Sequence, residues 1–329
     1  MPRKALVTGA TGGLGRELVT ALLAGGYAVR ASGRNLGVGA SLGCEFMAAD
    51  LLTGDVTALC AGMDVIFHCA ALSSPWGGDE DFEAINVEAT RRLLEAAIVA
   101  KASAFVFVST PSLYAEAKDR PGITESSPLP PRFANAYART KAAAERIVLA
   151  ADRPGFATVA IRPRAIVGPH DQVLLPRIAK IAARGWFPLV RGGEALIEVT
   201  DARDAASALI AADTARDRAH GQAFNITGGA PMKTRDLLTE AFKELGLHPA
   251  LIPVPWWLAA SIVWTLEMVC RLLPSRPEPA ATLYSIGTLA FTQTFDLTRA
   301  RTILGWSPAY SPAQAMTRAG AAWRFRAPV

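Results

Sequence analysis

Hydrophobic and polar positions along this chain follow two alternating periods. Short apolar runs suited to buried parallel strands occur at Ala5-Leu6-Val7, Tyr27 to Ser32, Glu45 to Ala49, Asp64 to Cys69 and Ala104 to Val108. Between them lie stretches with helical spacing, Leu14 to Leu23, Asp79 to Lys101 and Asn135 to Ala151. The second carries Phe82, Ile85, Val87, Leu93, Leu94 and Ile98, with acidic residues in its first turn, as a helix dipole prefers. This alternation predicts an α/β fold with a doubly wound parallel sheet. Beyond Gly168 the same reading places a helix over Gln172 to Arg184, a strand over Leu196 to Thr200, a helix over Asp201 to Ala212 and a strand over Ala223 to Thr227. Residues 1–168 are thus expected to form a nucleotide-binding core. Residues 169–329 are expected to form mostly a smaller C-terminal substrate lobe, interleaved with the core over the carboxyl edge of the sheet.

The tightest pattern is the opening stretch MPRKALVTGATGGLG, in which Gly9, Gly12 and Gly15 follow the first strand at three-residue spacing and lead into the first helix. Strand, glycine turn and helix, in Rossmann-type order, are what a dinucleotide pyrophosphate needs. One glycine turns the chain, another lets backbone approach the phosphates, the last lets helix pack on strand, and the phosphates rest on the positive end of the helix dipole. With 27 glycines in 329 residues, a turn without a ligand is the competing reading. The second strand ends in Ser32-Gly33-Arg34, where an NAD enzyme would carry a carboxylate for the ribose 2′-hydroxyl. A guanidinium there favours a 2′-phosphate, so NADP(H) is expected over NAD(H); a solvated loop cation is the alternative for Arg34. The third strand ends in Asp50-Leu51. The fourth is followed by Ala70-Ala71, small side chains that suit close passage of a cofactor or ordinary packing.

The fifth strand ends in Ser109, Thr110, Pro111 and Ser112, hydroxyls at the carboxyl end of a buried parallel strand, where such sheets bind ligands. A loop rich in Pro, Ser and charge, Glu116 to Phe133, is expected at the active-site rim. The next helix carries Tyr137 and Lys141, four apart and on one face. Such a pair suits proton transfer to a carbonyl oxygen, because a neighbouring ammonium stabilises tyrosinate and lowers a phenol pKa that starts near ~10. A surface pair is the alternative for this spacing alone.

Apolar residues at 51% and charged residues at 19% exclude a disordered chain. The net charge of +5 is spread without blocks, so no nucleic-acid arm is expected, only mild attraction to anionic ligands or lipid headgroups. Cys44, Cys60, Cys69 and Cys270 form no CxxC or regular framework, and no signal-peptide pattern precedes the first strand; a reducing, cytoplasmic compartment is expected. The stretch Leu251 to Leu273 holds Trp256, Trp257 and Trp264, and no formal charge falls between Leu245 and Leu266. Pro253 and Pro255 on one side and Glu267 and Arg271 on the other leave it short of the about 20 apolar residues a spanning helix needs. It reads as a buried core helix, or as an exposed apolar helix that lids a greasy pocket or dips into a membrane interface.

Motifs placed in order along nearly the whole chain carry a family resemblance: TGATGGLG at 8–15, DL at 50–51, HCAA at 68–71, INVEAT at 85–90, VSTPSLY at 108–114, YARTK at 137–141, RPRAIVGP at 162–169 and ARTILGWSP at 300–308. Together they resemble the extended short-chain dehydrogenase/reductase family, of the NAD-dependent epimerase/dehydratase superfamily. VSTPSLY and RPRAIVGPHDQ are most similar to its 3β-hydroxysteroid dehydrogenase branch and to bacterial relatives that reduce 3-oxo groups on lipids. The resemblance implies Tyr137 as general acid/base, Lys141 holding the nicotinamide ribose and tuning that tyrosine, and Thr110 as the catalytic hydroxyl with Ser109 beside it. It implies further that Asn86 braces the helix or a proton path. Gly9, Thr11, Gly12, Gly13, Leu14, Gly15, Ser32, Arg34, Asp50, Leu51, Ala70, Ala71 and Pro163 would join Lys141 around NADP(H), with hydride passing between nicotinamide C4 and a carbonyl carbon.

Departures are mild at Ala115, where relatives often have Gly, and at Thr140, where they have Ser. Many nucleotide-sugar epimerases carry an Asn shortly after the sixth strand, and the run Arg162 to Ile166 has none. The expected function is therefore NADP-dependent reduction of a 3-oxo group to a secondary alcohol on a hydrophobic lipid, such as a sterol, a β-keto acyl chain or a long-chain amino ketone. The alternatives are a nucleotide-sugar epimerase/dehydratase and a non-catalytic NADP-binding protein. The same resemblance favours the exposed reading of the tryptophan stretch, with peripheral membrane contact through residues 255–273. Pairing of helices that flank the core makes a homodimer an expectation as well.

Overall fold

In the computed structural model, which describes residues 1–326, the central sheet is parallel throughout. Its strands are Lys4–Thr8 (β1), Ala28–Gly33 (β2), Glu45–Ala48 (β3), Val65–His68 (β4), Ala104–Val108 (β5), Ala157–Pro163 (β6) and Gln222–Ile226 (β7). They lie in the order β7-β6-β5-β4-β1-β2-β3. Chain direction across the sheet reverses between β1 and β4, which opens a crevice beyond their carboxyl ends.

The strands read as continuous apolar runs because both sheet faces are covered. The helices that bear on the site are Gly13–Ala24 (α1), Ala89–Val99 (α2), Ala136–Ala150 (α3), Leu174–Ala182 (α4), Ala202–Thr214 (α5), Thr234–Leu245 (α6), Trp256–Leu272 (α7), Leu283–Ala290 (α8) and Pro312–Arg326 (α9). Val7, Phe67 and Val106 point to the face covered by α1 and α5, through Leu18, Leu22 and Leu209. Leu6, Ile66 and Phe105 point to the other face, against Leu93 of α2 and Val148 of α3. That alternation is the period of two expected of a strand. A third apolar cluster, built by α4, α6 and α9 around Phe187 and Leu189, forms the smaller lobe. Strand β7 and helix α5 come from beyond residue 168 yet complete the sheet half, so core and lobe interleave in sequence.

The stretch 79–101 is helical to Val99, but its middle is wider than expected. Residues Asp79–Phe82 and Ala89–Val99 are α-helical, while Glu83–Glu88 is π-helical and contains Asn86. The segment expected as a loop, Glu116 to Phe133, includes a strand, Arg120–Ile123, paired in parallel with Gln293–Phe295. The strand expected over 196–200 is broken into Leu196–Ile197 and Thr200–Asp201, which join different sheets. The break accommodates buried Glu198, whose carboxylate accepts hydrogen bonds from Thr227 Oγ1 and the Phe295 amide.

Helix α7 corrects the buried-core reading of its stretch. Ala259, Val263, Glu267 and Cys270 pack inward, while Trp257 and Trp264 are 68% and 55% exposed, with Ile262 and Leu272 also on the outside. Trp256 alone of the three tryptophans turns in, edge-on to Phe291 at 4.8 Å between ring centres. No helix among the described residues is long and apolar enough to cross a membrane.

Candidate active site

The glycine turn has a shape that side chains would destroy. Gly9 sits at φ +66°, and a Cβ there would lie 2.6 Å from the Ala70 amide nitrogen; one on Gly15 would lie 2.2 Å from the Gly9 carbonyl oxygen. Gly12 caps α1 with no side-chain hydrogen bond, so the first turn of the helix presents its backbone N–H groups to the crevice. A concave, uncapped helix start next to the β1/β4 crevice fits a pyrophosphate. At the end of β2, Ser32 is buried with a hydroxyl that has no partner among the described residues, and Arg34 is exposed and makes no ion pair with any of them. Asp50 closes a turn by accepting the Leu52 amide at 2.8 Å, and the Leu51 carbonyl accepts a hydrogen bond from Arg92 at 2.6 Å.

At the opposite side of the crevice the hydroxyl groups form a connected chain. Thr110 ends the fifth strand segment and caps the short helix Pro111–Tyr114, accepting the Ser112 amide at 3.1 Å. Its own hydroxyl donates to Ser112 Oγ at 2.9 Å, and Ser112 Oγ lies 2.5 Å from the Tyr284 phenol of α8. The Tyr137 phenol lies beside Thr110 and Ser73, whose hydroxyls favour its ionised form. The hydrogen-bonded chain runs Thr110, Ser112, Tyr284, with Tyr137 beside its Thr110 end. Ser109 is buried beside it with a hydroxyl that has no partner.

Lys141 occupies a different place from the one its spacing suggests. Its ammonium donates to the Val108 carbonyl at 2.6 Å and lies 3.9 Å over the Phe107 ring, against the end of β5. Burial pulls its pKa down to about 7, opposed by the charges of Glu145 and Cys69. The expected lowering of the Tyr137 pKa by this ammonium is absent. Burial, with the adjacent Tyr284 phenol, raises the Tyr137 pKa above its ordinary value, against the pull of the Thr110 and Ser73 hydroxyls.

Asn86 acts as a brace. Its amide clasps the backbone of Leu72, accepting the N–H at 2.8 Å and donating to the carbonyl at 3.2 Å, and it also donates to Thr140 at 3.1 Å. This ties the segment after β4 to α3, next to Lys141. His68 in the HCAA motif is a core residue: Thr8 Oγ1 meets Nδ1 at 2.7 Å, Thr90 Oγ1 meets Nε2 at 2.9 Å, and burial lowers its pKa to about 3. It is neutral and structural.

A cavity of about 610 Å³ joins these parts. Gly12, Gly13, Leu14, Ala71, Ser109, Thr110, Tyr137, Lys141 and Pro163 line it. Gly9, Thr11, Gly15, Ser32, Arg34, Asp50, Leu51, Ala70 and Asn86 lie outside its walls, with Ala70 packed on Gly9 and Thr11 on Gly33. The far wall is apolar, with Ile178, Phe187, Leu238 and Met316 from the lobe. The loop expected at the rim instead borders a separate pocket of about 230 Å³, through Glu116, Ala117 and Lys118. Helix α7 does not line the main cavity; α8, on which it packs, does. Buried Arg164, which with His170 the sequence offers as a contact for an anionic headgroup, lines the cavity, and so does Tyr284, brought to Ser112 from 172 positions away. No local pattern announces Tyr284.

Comparison with known proteins agrees with this geometry. Residues 5–227 match the NAD dependent epimerase/dehydratase family. The protein YbjS of Escherichia coli (strain K12), described as uncharacterized, is 37% identical over 316 residues, covering 93% of each chain. The 2-alkyl-3-oxoalkanoate reductase of Shewanella oneidensis is 32% identical over 328 residues, covering 95% of this chain and 84% of that one. Among solved structures, MoeE5 in complex with UDP-glucose and NAD superposes with a TM-score of 0.77 at 25% identity, covering 98% of this chain and 99% of that one. The chain belongs to the NAD-dependent epimerase/dehydratase family, within the extended short-chain dehydrogenases/reductases. It is an NAD(P)-dependent oxidoreductase of the kind that interconverts CH–OH and C=O groups.

Proposed function

We propose that this enzyme reduces a 3-oxo group on a hydrophobic lipid to a secondary alcohol, with NADP(H) preferred over NAD(H). The observation that carries the reading is Tyr137 beside the hydroxyl chain of Thr110, Ser112 and Tyr284, in a cavity also lined by apolar side chains of the lobe. The relative that reduces 2-alkyl-3-oxoalkanoates supports the same substrate class. The unpaired guanidinium of Arg34 at the end of β2, where no carboxylate stands, supports NADP(H).

Gly9, Gly12, Gly13 and Gly15 would cradle the pyrophosphate, Arg34 the 2′-phosphate, and Lys141 and Pro163 the nicotinamide riboside. When bound, the nicotinamide supplies or accepts the hydride at its C4. Tyr137 gives its phenolic proton to the substrate oxygen as negative charge develops there, and its raised pKa keeps that proton in place through neutral pH. Thr110 orients the same oxygen when its hydroxyl proton turns from Ser112 toward it, while Ser112 stays anchored to Tyr284. Asn86 is a positioning residue that fixes the backbone behind Tyr137 and Lys141.

The exposed face of α7 is assigned to peripheral contact with a membrane surface, from which an apolar substrate would be drawn. Flotation with anionic liposomes tests it: wild type should float, and Trp257→Glu with Trp264→Glu should not. The catalytic reading is tested by following NADPH consumption with long-chain 3-oxo lipids, 3-ketosteroids and nucleotide sugars in parallel. Consumption with apolar ketones supports it, and conversion of nucleotide sugars alone overturns it.

A further inference from the structure

Arg164 directly follows β6, is only 7% exposed, and is scarcely satisfied by the protein. Its Nη2 reaches the Thr288 carbonyl at 3.5 Å, its Nε has no partner, and its Nη1 donates to no described residue. Arg162, two positions earlier, shows what a satisfied buried arginine looks like here: it forks onto both carboxylate oxygens of Glu145 and also donates to Tyr114. Glu198 attracts Arg164 but forms no ion pair with it, because both of its oxygens are already engaged by Thr227 and the Phe295 amide. A desolvated guanidinium without a contacting anion is costly to a fold. Its presence calls for a partner that the protein does not supply.

The place of Arg164 identifies that partner. It lines the same cavity as Tyr137, Thr110, Ser112 and Tyr284, and lies within electrostatic reach of the Tyr284 phenol at the end of the hydroxyl chain. From Thr110 Oγ1 to Tyr284 Oη the chain is two hydrogen bonds long, 2.9 and 2.5 Å. Tyr284 thereby joins the hydroxyl wall to the surroundings of Arg164 within one cavity. Beyond it the wall turns apolar at Ile178, Leu238 and Met316.

We propose that Arg164 is the anion subsite of the substrate pocket and binds a free carboxylate, so that the substrate class is a 3-oxo acid, and its product a 3-hydroxy acid, with a long apolar tail. The inference rests on the reductase reading above and narrows it. The free guanidinium nitrogens offer the paired donors that a carboxylate accepts bidentately, while the substrate oxygen faces Tyr137 and Thr110 and the tail follows the apolar wall. A neutral ketone or ester would leave Arg164 unpaired, and so would be selected against by the cost of that unpaired charge.

Two measurements on the full chain with NADP(H) test this. The first is equilibrium binding of a long-chain 3-hydroxy acid and of its methyl ester; the second is kcat/KM for oxidation of the same pair. The acid should exceed the ester by about 100-fold in both, as expected when a charged buried group loses its partner. Arg164→Gln should collapse that ratio toward one, and Arg164→Lys should restore part of it, with cofactor binding and thermal melting showing that each variant is folded. Equal use of acid and ester by the wild type overturns the proposal whatever the variants do, and so does a folded Arg164→Gln that keeps the ratio. Acid-selective binding without turnover of either compound upholds the subsite while the reductase reading falls.

Discussion

Replacing Tyr137 with Phe removes one oxygen from the site and little else. The ring and its packing remain; what goes is the phenolic proton and the polar contact with the Thr110 and Ser73 hydroxyls. Even two full hydrogen bonds would be worth only about 1–3 kcal/mol net, which bounds the stability loss and leaves a folded, cofactor-binding protein. The kinetic loss is larger. Thr110 can orient the substrate oxygen by turning its hydroxyl proton from Ser112 toward it, but an aliphatic hydroxyl is too weak an acid to replace the phenol. General acid catalysis contributes about 10²- to 10⁴-fold, equivalent to about 3–5 kcal/mol of barrier, and that is the expected fall in kcat/KM. The assay is NADPH absorbance under saturating 3-oxo lipid, alongside fluorescence titration of NADPH binding. A folded Tyr137→Phe protein that turns over as fast as wild type would refute the assignment of the proton to this residue.

Arg34→Ala should lower the ratio of kcat/KM with NADPH to that with NADH by about 10- to 100-fold, the worth of a charge-assisted contact to phosphate; an unchanged ratio returns Arg34 to a solvated loop cation. Gly9→Ala forces a Cβ to within 2.6 Å of the Ala70 amide nitrogen at φ +66°, so it should cost about 1–3 kcal/mol in urea melts and abolish NADPH binding. Lys141 predicts a pH dependence whose sign follows from burial. Its folded pKa of about 7 lies below the ordinary 10.5, so between those values the unfolded chain binds the extra proton and stability rises with pH, by about 1.4 kcal/mol per unit. Below about 7 the lysine is charged in both states and the folded protein bears the full desolvation cost. Urea melts of the cofactor-free protein should therefore show wild type gaining on Lys141→Met from pH 7 upward; a gain in the opposite direction would contradict the burial argument.

Most of the sheet was legible because β1, β4 and β5 are continuous apolar runs, and because the glycine turn has a stringent geometry that shows in the spacing of Gly9, Gly12 and Gly15; β6, interrupted by Thr158 and Arg162, carries no such run and takes no range from the sequence. Thr110, Tyr137 and Lys141 were placed by motif order, and they meet at one cavity. What escaped depends on contacts that no window of sequence contains. Tyr284 reaches Ser112 from the C-terminal lobe. The direction of the Lys141 ammonium is set by Val108 and Phe107 rather than by its neighbour four positions back. The π-helical turn around Asn86 arises where its side chain clasps Leu72, a tertiary demand that helical periodicity does not reveal. The two faces of α7 were ambiguous for the same reason, since an apolar helix shows which side is buried only when its partner, α8, is in place.

The central claim is net transfer of hydride from NADPH to a lipid ketone with a proton supplied to its oxygen. It is tested most directly with NADPH deuterated at the nicotinamide C4 and a long-chain 3-oxo substrate, with the product read by mass spectrometry. The account predicts one deuterium on the new carbinol carbon, one NADPH consumed for each alcohol formed, and loss of both in Tyr137→Phe. Nucleotide-sugar isomerisation with no net cofactor consumption, and no label in any lipid, would contradict it.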